Sequence, residues 1–227
     1  MNPHADVGRP LVWLVAWADG PAPSARQALE SLLDAREIER LRRFRSEGSA
    51  TQYLIAHAAL RRMLSTLAPI PATHWRFERG PAGKPRLAPS QADGLHFNLS
   101  HTAGLIACAA SWGGEVGIDI EDATRPIRLD DFAGCLSLEE RQTLERAPPE
   151  RRQRDFFDLW TAKEAIAKAR GDGLTDGFRD IDPMRDPQWR VIRFDVGPSH
   201  AGALAVPAGL TGTPALVRLK PDDLLSE

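Results

Sequence analysis

The sequence lacks the features that mark several common classes of protein. It has two cysteines, Cys108 and Cys135, which form no CxxC pair and give no sign of a zinc site or a disulfide framework. No apolar run approaches the roughly 18 residues that are needed to span a bilayer. The first residues contain no basic segment followed by a clean apolar one. We therefore expect no secretory signal and a reducing, cytoplasmic environment.

The charge of the chain is close to balanced. The 29 lysines and arginines and the 31 aspartates and glutamates give a net charge of -2 at pH 7. This balance argues against a general binder of nucleic acids or membrane surfaces, so we expect neither as a partner. The 227 residues, 42% of them hydrophobic, are enough for one large domain or two small ones.

One segment departs from this balance. Residues 36–62 hold seven arginines against three glutamates, which is a local net charge of +4. Two interpretations stay open: a solvated helix face with ion pairs between residues four apart, or a site for an anion. The arginines stand at positions 36, 40, 42, 43, 45, 61 and 62.

The first half of the chain is predicted to contain helices and several strands. Periodic leucines predict helices between Ser24 and Leu67, with a break near Gly48. Residues 113–114, both glycine, suit the two-residue turn of a hairpin, which requires positive φ. The predicted strands are residues 11–17, 75–77, 95–101, 104–112 and 115–121, the last two joined by that turn.

The second half carries clear helix signals. Ser137 and Glu140 resemble a capping box that opens a short helix. Residues 148–149, both proline, suit the first turn of a longer helix, which ends at Arg170 with Gly171 in the C′ position. The runs that favour strands are residues 189–194, 201–206 and 214–219.

Two acids lie on one face of the predicted strand at residues 115–121. In a strand, alternate side chains share a face, so Asp119 and Glu121 point the same way as Gly117, opposite an apolar face. Neighbouring carboxylates repel each other, and a hard cation such as Mg²⁺ removes that repulsion. Gly117 would leave room for a ligand. The alternative is the solvent side of an amphipathic strand.

The helix that ends at Arg170 carries an acid and a base on one face. Trp160, Glu164 and Lys168 are spaced four residues apart, and residues 156–157 are both phenylalanine, which predicts a well-buried helix. A charged pair on a buried helix requires a reason such as a metal or a phosphate. The alternative is a surface Glu–Lys pair.

Three polar residues are candidates for contacts with phosphate. Ser100 and His101 follow each other at a strand end, where adjacent side chains point apart, so they are not a nucleophile–base pair. Hydrogen bonding to a phosphate or an ordinary polar turn would both explain them. Lys84 stands between glycine and proline, either solvated or directed at an anion.

Taken together, these segments resemble the 4′-phosphopantetheinyl transferases of the long, monomeric Sfp type. The likeness covers about residues 30–175 and rests on the order of its motifs. They are Gly-Lys-Pro at 83–85, Phe-Asn-Leu-Ser-His at 97–101, Val-Gly-Ile-Asp-Ile-Glu at 116–121, Phe-Asp-Leu-Trp-Thr-Ala-Lys-Glu-Ala at 157–165 with Lys168, and Gly-Asp-Gly-Leu at 171–174.

The resemblance implies an α+β fold of two similar α/β subdomains related by a pseudo-twofold axis. These would be residues 1–112 and 113–227, with run 201–206 mirroring run 104–110. Coenzyme A would bind between them in a monomer. The implied reaction transfers the phosphopantetheine arm of coenzyme A to a serine of an acyl or peptidyl carrier protein and releases 3′,5′-adenosine diphosphate.

The resemblance also implies roles for the charged residues of the second half. Asp119, Glu121 and Glu164 would hold Mg²⁺, or Mn²⁺ in its place. Glu164 would act as general base, or position a water that does. Lys168 would neutralise the pyrophosphate as the leaving group departs. Asp119, Glu164 and Lys168 are thus the predicted catalytic residues.

In the first half, the resemblance implies contacts with coenzyme A. Ser100 and His101 would bind its phosphates, whereas Lys84 and Arg40 would lie at its nucleotide end. One departure is Gln52-Tyr53, which stands where some members carry another basic residue. Arg36, Arg43 or Arg45 could replace it, and the sequence does not rank them.

Two other functions compete with this one. A coenzyme A or nucleotide-binding protein without catalysis would not need the carboxylates and the lysine together. A nucleic-acid-binding protein built on residues 36–62 conflicts with the acidic remainder of the chain. The carrier protein itself cannot be read from one chain.

Overall fold

The computed structural model describes residues 8–17, 20–80, 83–171 and 177–225. The predicted motif at residues 171–174 extends outside the described residues after Gly171. The helices are α1 (Pro23–Glu30), α2 (Ala35–Leu41), α3 (Glu47–Leu67), α4 (Leu138–Arg146) and α5 (Pro149–Arg170). The strands are β1 (Leu11–Ala16), β2 (Phe77–Arg79), β3 (Pro85–Leu87), β4 (His96–Thr102), β5 (Leu105–Ser111), β6 (Gly117–Asp122), β7 (Trp189–Arg193), β8 (His200–Pro207) and β9 (Ala215–Leu219).

Two sheets form the centre of the α+β fold. The first sheet has the order β4-β5-β1-β9 and the second β6-β8-β7, while β2 and β3 make a separate hairpin. In the first sheet, β5 pairs antiparallel with both β4 and β1. In the second, β8 pairs antiparallel with both β6 and β7. The same connectivity thus occurs twice: one strand, then helices, then two strands of which the last lies between the others. The twofold axis itself stays a prediction.

The two sheets pack face to face, and helices cover their outer faces. Along β5, Leu105, Ala107 and Ala109 share a core cluster with residues of β1, β6 and β8. The alternate residues Ile106, Cys108 and Ala110 belong to the cluster that contains α3. Both sides of β5 are therefore buried, as its continuous apolar sequence indicates. Cys108 is the core residue that the sequence predicted.

The second sheet is closed by α5, which lies against β6. Gly117 makes this close contact, because a Cβ at that position would clash with the backbone of Ala165 and Ala169. The prediction that Gly117 leaves room for a ligand is wrong: the space is filled by the helix. The apolar side of β6 is buried between the sheets, as predicted.

Gly117→Ala should destabilise the fold strongly. The added methyl group meets helix backbone, which cannot move aside as a flexible side chain can, so we expect a loss of about 3 kcal/mol or more in the free energy of unfolding. Gly134→Ala is the matched control, because a Cβ there meets nothing within 4 Å. Urea unfolding of both variants tests this, and equal stabilities would contradict the close packing.

The helix signals of the second half are confirmed. Ser137 and Glu140 form a reciprocal capping box at the start of α4. Gly171 has a φ of 77° and caps the end of α5. In these places a local sequence pattern determines the local structure.

Two local predictions were wrong in position. The helix break lies at residues 42–46, because Ser46 caps α3 and Gly48 falls inside its first turn. The predicted strand at 75–77 begins only at Phe77. Trp75 is fully buried and donates its indole N–H to Ser65 Oγ at 2.9 Å, so it serves the core instead.

Residues 113–114 do not form the predicted hairpin. They connect β5 of the first sheet to β6 of the second, and β6 pairs with β8. Gly114 does have a positive φ, of 120°. The sequence predicted the positive φ of Gly114, but pairing with a strand about 80 residues later cannot be seen in a local pattern.

The predicted division at residue 112 stays a prediction. β9 is an exception to this division, because it lies in the second half of the chain but pairs parallel with β1 of the first sheet. Among the described residues, no helix has the length and apolarity that crossing a membrane requires.

Candidate active site

The site lies where β4 of the first sheet meets β6 of the second. Alternate side chains of β4 accept the backbone N–H groups that β6 directs away from β8. The N–H of Ile118 donates to Asn98 at 2.9 Å, that of Ile120 to Ser100 at 3.3 Å, and that of Asp122 to Thr102 at 3.2 Å. We call these three β4 side chains the polar ladder. It fixes β6 against β4 without backbone pairing.

Asp119 projects from β6 into the centre of this junction. It is 3% exposed, because α5 covers its face of the sheet, so the solvent-facing alternative does not hold for it. Its Oδ1 atom accepts hydrogen bonds from Ser100 Oγ at 2.9 Å and Lys168 Nζ at 2.6 Å. Its Oδ2 atom is buried and has no hydrogen-bond partner in the described part of the chain. A buried carboxylate oxygen without a partner is a natural ligand for a cation.

Ser100 has its hydrogen-bonding capacity filled by the protein. Its hydroxyl proton is donated to Asp119, and its oxygen accepts from Ile120 N–H and from Lys168 Nζ at 3.2 Å. A hydroxyl has one donor and two acceptor positions. In this arrangement Ser100 orients Asp119 and Lys168. The contact with coenzyme A phosphates that the resemblance implies stays a prediction.

Two further acids lie in the electrostatic field of Asp119. Burial raises the pKa of Glu164 to about 7, aided by the negative charges of Asp119 and Glu121 and opposed by Lys168. Burial and Asp119 likewise raise the pKa of Glu121, against the effect of Arg125. The negative charge at this site therefore exceeds what the neighbouring cations balance, and an added cation would relieve it.

The three predicted metal ligands are not arranged as a complete cage. No group of three or more histidine, cysteine, aspartate or glutamate side chains within the described ranges is placed to hold a metal ion. Lys168 occupies one oxygen of Asp119 instead. The unpartnered Oδ2 and the mutual repulsion of the acids nevertheless fit Mg²⁺, which takes one or two carboxylates and leaves its other positions to water and phosphate.

The buried environment of α5 matches the sequence prediction. Trp160 packs against Phe156 in a stacked arrangement with ring centroids 5.9 Å apart, and against Phe132 and Phe178. Lys163, beside Glu164, is fully buried and contacts Glu140 Oε1 at 2.9 Å. No role was predicted for Lys163, because Lys–Glu pairs distant in sequence leave no local pattern.

His101 follows Ser100 but points elsewhere. It is exposed near the end of β4. Partial desolvation and the positive charges of Lys168 and His57 lower its pKa, so the ring is mainly neutral at pH 7. A neutral imidazole can still donate one hydrogen bond to a phosphate.

The arginines of residues 36–62 lie in different environments. Arg61 is fully buried and contacts the carboxylates of Asp34 and Glu37 and two backbone carbonyls, so it belongs to the core. Arg43 instead forms an exposed i,i+4 pair with Glu39. Neither one of the two predicted interpretations covers the whole segment.

Arg40 lies at a cleft of about 310 Å³ that residues 97–99 of β4 help to line. Its guanidinium lies over the ring of Tyr53, 5.3 Å from the centroid, and Tyr53 in turn contacts the ring of His57. The lining holds three arginines and three acids, and its other residues are Asp34, Arg36, Glu37, Leu60, Phe77, Glu78, Arg79, Pro85, Phe97, Asn98 and Leu99. Gln52, near the position where some members of the family that the sequence resembles carry a basic residue, donates its side-chain amide to the carbonyl of Thr102 at 2.9 Å.

A buried carboxylate bonded to a lysine, with two further acids in its field, suits a phosphate only together with an added cation, an arrangement that group transfer between phosphates uses. The family follows from comparison with known proteins. The model described as the 4′-phosphopantetheinyl transferase superfamily matches residues 115–205. A second, described as 4′-phosphopantetheinyl transferase, N-terminal, matches residues 16–113. The chain belongs to the 4′-phosphopantetheinyl transferase family and is a transferase, which confirms the resemblance.

Individual relatives agree with this family. The chain is 33% identical to the 4′-phosphopantetheinyl transferase HetI of Nostoc sp. over 194 residues, which are 81% of this chain and 82% of the relative. It is 36% identical to AcpT of Escherichia coli over 132 residues, 58% and 64% of the two chains. It is 30% identical to Sfp of Bacillus subtilis over 145 residues, 64% and 63% of the two chains.

Proposed function

We propose that this protein transfers the 4′-phosphopantetheine arm of coenzyme A to a serine of an apo-carrier protein in a Mg²⁺-dependent reaction. The single observation that carries the proposal is the group Asp119, Lys168 and Ser100, bonded to one another beside Glu164. The lysine can pair with a pyrophosphate directly, and the acid can do so through a bound cation.

The reaction makes and breaks one phosphorus–oxygen bond. The carrier serine oxygen attacks the phosphorus that bears the pantetheine arm, and the bond from that phosphorus to 3′,5′-adenosine diphosphate breaks. The serine proton passes to a base and the bond electrons leave with the diphosphate. The nucleophile belongs to the partner, so the enzyme needs no catalytic serine of its own.

The chain's own residues position charge and move the proton. Glu164 can accept the serine proton, directly or through a water. Lys168 compensates the charge that develops on the leaving phosphate. Asp119, Glu121 and Glu164 would hold Mg²⁺ or Mn²⁺. When bound, the metal neutralises the pyrophosphate oxygens.

The nucleotide end of coenzyme A fits the cleft at Arg40. Arg36, Arg40 and Arg79 supply positive charge, which the three acids of the lining partly balance, and the Tyr53 ring supplies a flat wall. His101, exposed near the end of β4, would contact a phosphate between this cleft and Asp119. This location is supported by Asn98, which lines the cleft and also bonds to β6 beside Asp119.

His101→Ala should weaken coenzyme A binding without slowing the chemical step. A lost hydrogen bond to a charged phosphate is worth roughly 1.5–3 kcal/mol, which corresponds to a rise of about tenfold or more in KM, with kcat nearly unchanged. His74→Ala is the control, because His74 is exposed and lies outside the cleft. Steady-state kinetics check this. An unchanged KM would remove His101 from the binding site.

The proposed enzyme is a monomer of the cytoplasm that binds neither nucleic acid nor membranes. Asp119 from one sheet and Ser100 from the other already meet within one chain. Specific activity should therefore stay constant over a dilution series monitored by analytical ultracentrifugation. A specific activity that falls as an oligomer dissociates would mean that the site is shared between chains.

The proposed carriers are those of fatty-acid, polyketide or nonribosomal-peptide synthesis. A panel of apo-carriers with labelled coenzyme A tests transfer and ranks them. The second candidate is a protein that binds coenzyme A without catalysis. Binding of labelled coenzyme A with no transfer to any apo-carrier would support that function instead.

A further inference from the structure

Lys84 occupies an unusual position between the two sheets. Its ammonium group contacts Glu115 Oε2 at 2.6 Å, the carbonyl of Ala169 at 3.0 Å and the carbonyl of Val116 at 3.2 Å. Its side chain is 16% exposed. A lysine ammonium has three N–H donors and no acceptor, so these three contacts use all of its donors.

The two carbonyl partners belong to the elements that carry the active-site charges. Val116 directly precedes β6, which bears Asp119, and Ala169 follows Lys168 in the last turn of α5. The last four carbonyls of a helix have no partner within the helix, so Lys84 satisfies one of these groups. Lys84 thus ties the start of β6 to the end of α5, beside the close contact at Gly117.

Glu115, the third partner of Lys84, stays ionised. Burial would raise the pKa of Glu115, but hydrogen bonds from His96 and Lys84 outweigh that effect and lower it to about 2. Glu115 Oε1 lies 3.1 Å from His96 Nδ1 on β4. The Lys84–Glu115–His96 group therefore joins the β2–β3 hairpin region, β4 and β6.

We propose that Lys84 is a positioning residue for the transfer reaction, which sets the relative placement of Asp119 and Lys168, and is not a ligand of the nucleotide end. This inference rests on the proposed function. It differs from the role that the family resemblance implies, because a lysine with three protein acceptors has no donor left for a phosphate. A small displacement of catalytic groups is enough to lower the turnover rate substantially.

Kinetics with coenzyme A and with dephospho-coenzyme A, which lacks the 3′-phosphate, separate the two roles. For Lys84→Met, assayed well below the melting temperature of the variant, we expect kcat to fall about tenfold or more. KM should change less than about twofold for either substrate. Lys84→Arg, which keeps several donors, should recover part of kcat. Arg86→Met is the control, because Arg86 is exposed beside Lys84 and should leave kcat and KM unchanged.

Three results would overturn the inference. A KM that rises for coenzyme A but not for dephospho-coenzyme A would make Lys84 a phosphate ligand. A lower melting temperature with unchanged kcat and KM would make its role purely structural. Wild-type protein that modifies no apo-carrier would overturn the proposed function and this inference with it.

Should Lys84→Met fail to fold, Glu115→Gln tests the same arrangement more gently. It keeps the side-chain shape but removes the charge that holds Lys84. A loss of kcat with unchanged KM for both substrates supports the positioning role. Unchanged kcat, or a loss of affinity for coenzyme A alone, contradicts it.

Discussion

Glu164→Gln and Asp119→Asn should each lower kcat by at least about 100-fold, the scale typical of a positioned base or charged group. Glutamine cannot accept the serine proton, and asparagine removes the buried charge that Lys168 contacts at 2.6 Å. Steady-state assays with apo-carrier and coenzyme A measure both effects. Asparagine is the right substitution because Asp119 is buried and bonded, so alanine would also leave a cavity.

Both variants should remain folded. Glu164→Gln removes a carboxyl group whose pKa burial and the charges of Asp119 and Glu121 raise to about 7, so its metal-free form should be at least as stable as wild type. Glu150→Gln is the control, since Glu150 is an exposed carboxylate in the first turn of the same helix. Folded variants with wild-type turnover would place the active site elsewhere.

Removal of divalent metal should abolish transfer, and Mg²⁺ or Mn²⁺ should restore it. The reasons are the unpartnered Oδ2 of Asp119 and the mutual repulsion with Glu121 and Glu164. Activity after treatment with EDTA and after readdition of metal measures this. Mg²⁺ should also raise the melting temperature of wild type more than that of Asp119→Asn, because a ligand stabilises the state that binds it. Full turnover in chelator would refute the assignment of metal ligands.

Local patterns in the sequence predicted the local parts of this fold. The capping box of α4, the glycine at the end of α5 and the alternation along β6 each depend on residues within a few positions of one another. Such features need no knowledge of distant contacts. The same holds for the runs that became β5, β7, β8 and β9.

Features that depend on long-range pairing were missed. The sequence could not show that β6 pairs with β8, so residues 113–114 were taken for a hairpin turn. Nor could it show that α5 covers Gly117 and buries Asp119. The first error came from expecting β6 to pair with β5, and the second from treating β6 as a strand with a free face.

The polar ladder left a signal that could have been used. Asn98, Ser100 and Thr102 stand two residues apart, so they share one face of β4. Three polar side chains on one face of an otherwise buried strand indicate a polar partner, here the backbone of β6. Lys84 left no such signal, because its three acceptors lie between 31 and 85 residues away.

The intact mass of an apo-carrier protein after incubation with this protein, coenzyme A and Mg²⁺ tests the central claim most directly. The proposed function predicts that the carrier gains one phosphopantetheine group on a single serine, with release of an equal amount of 3′,5′-adenosine diphosphate. An unmodified carrier across the whole panel, under conditions where coenzyme A binds the protein, would contradict it.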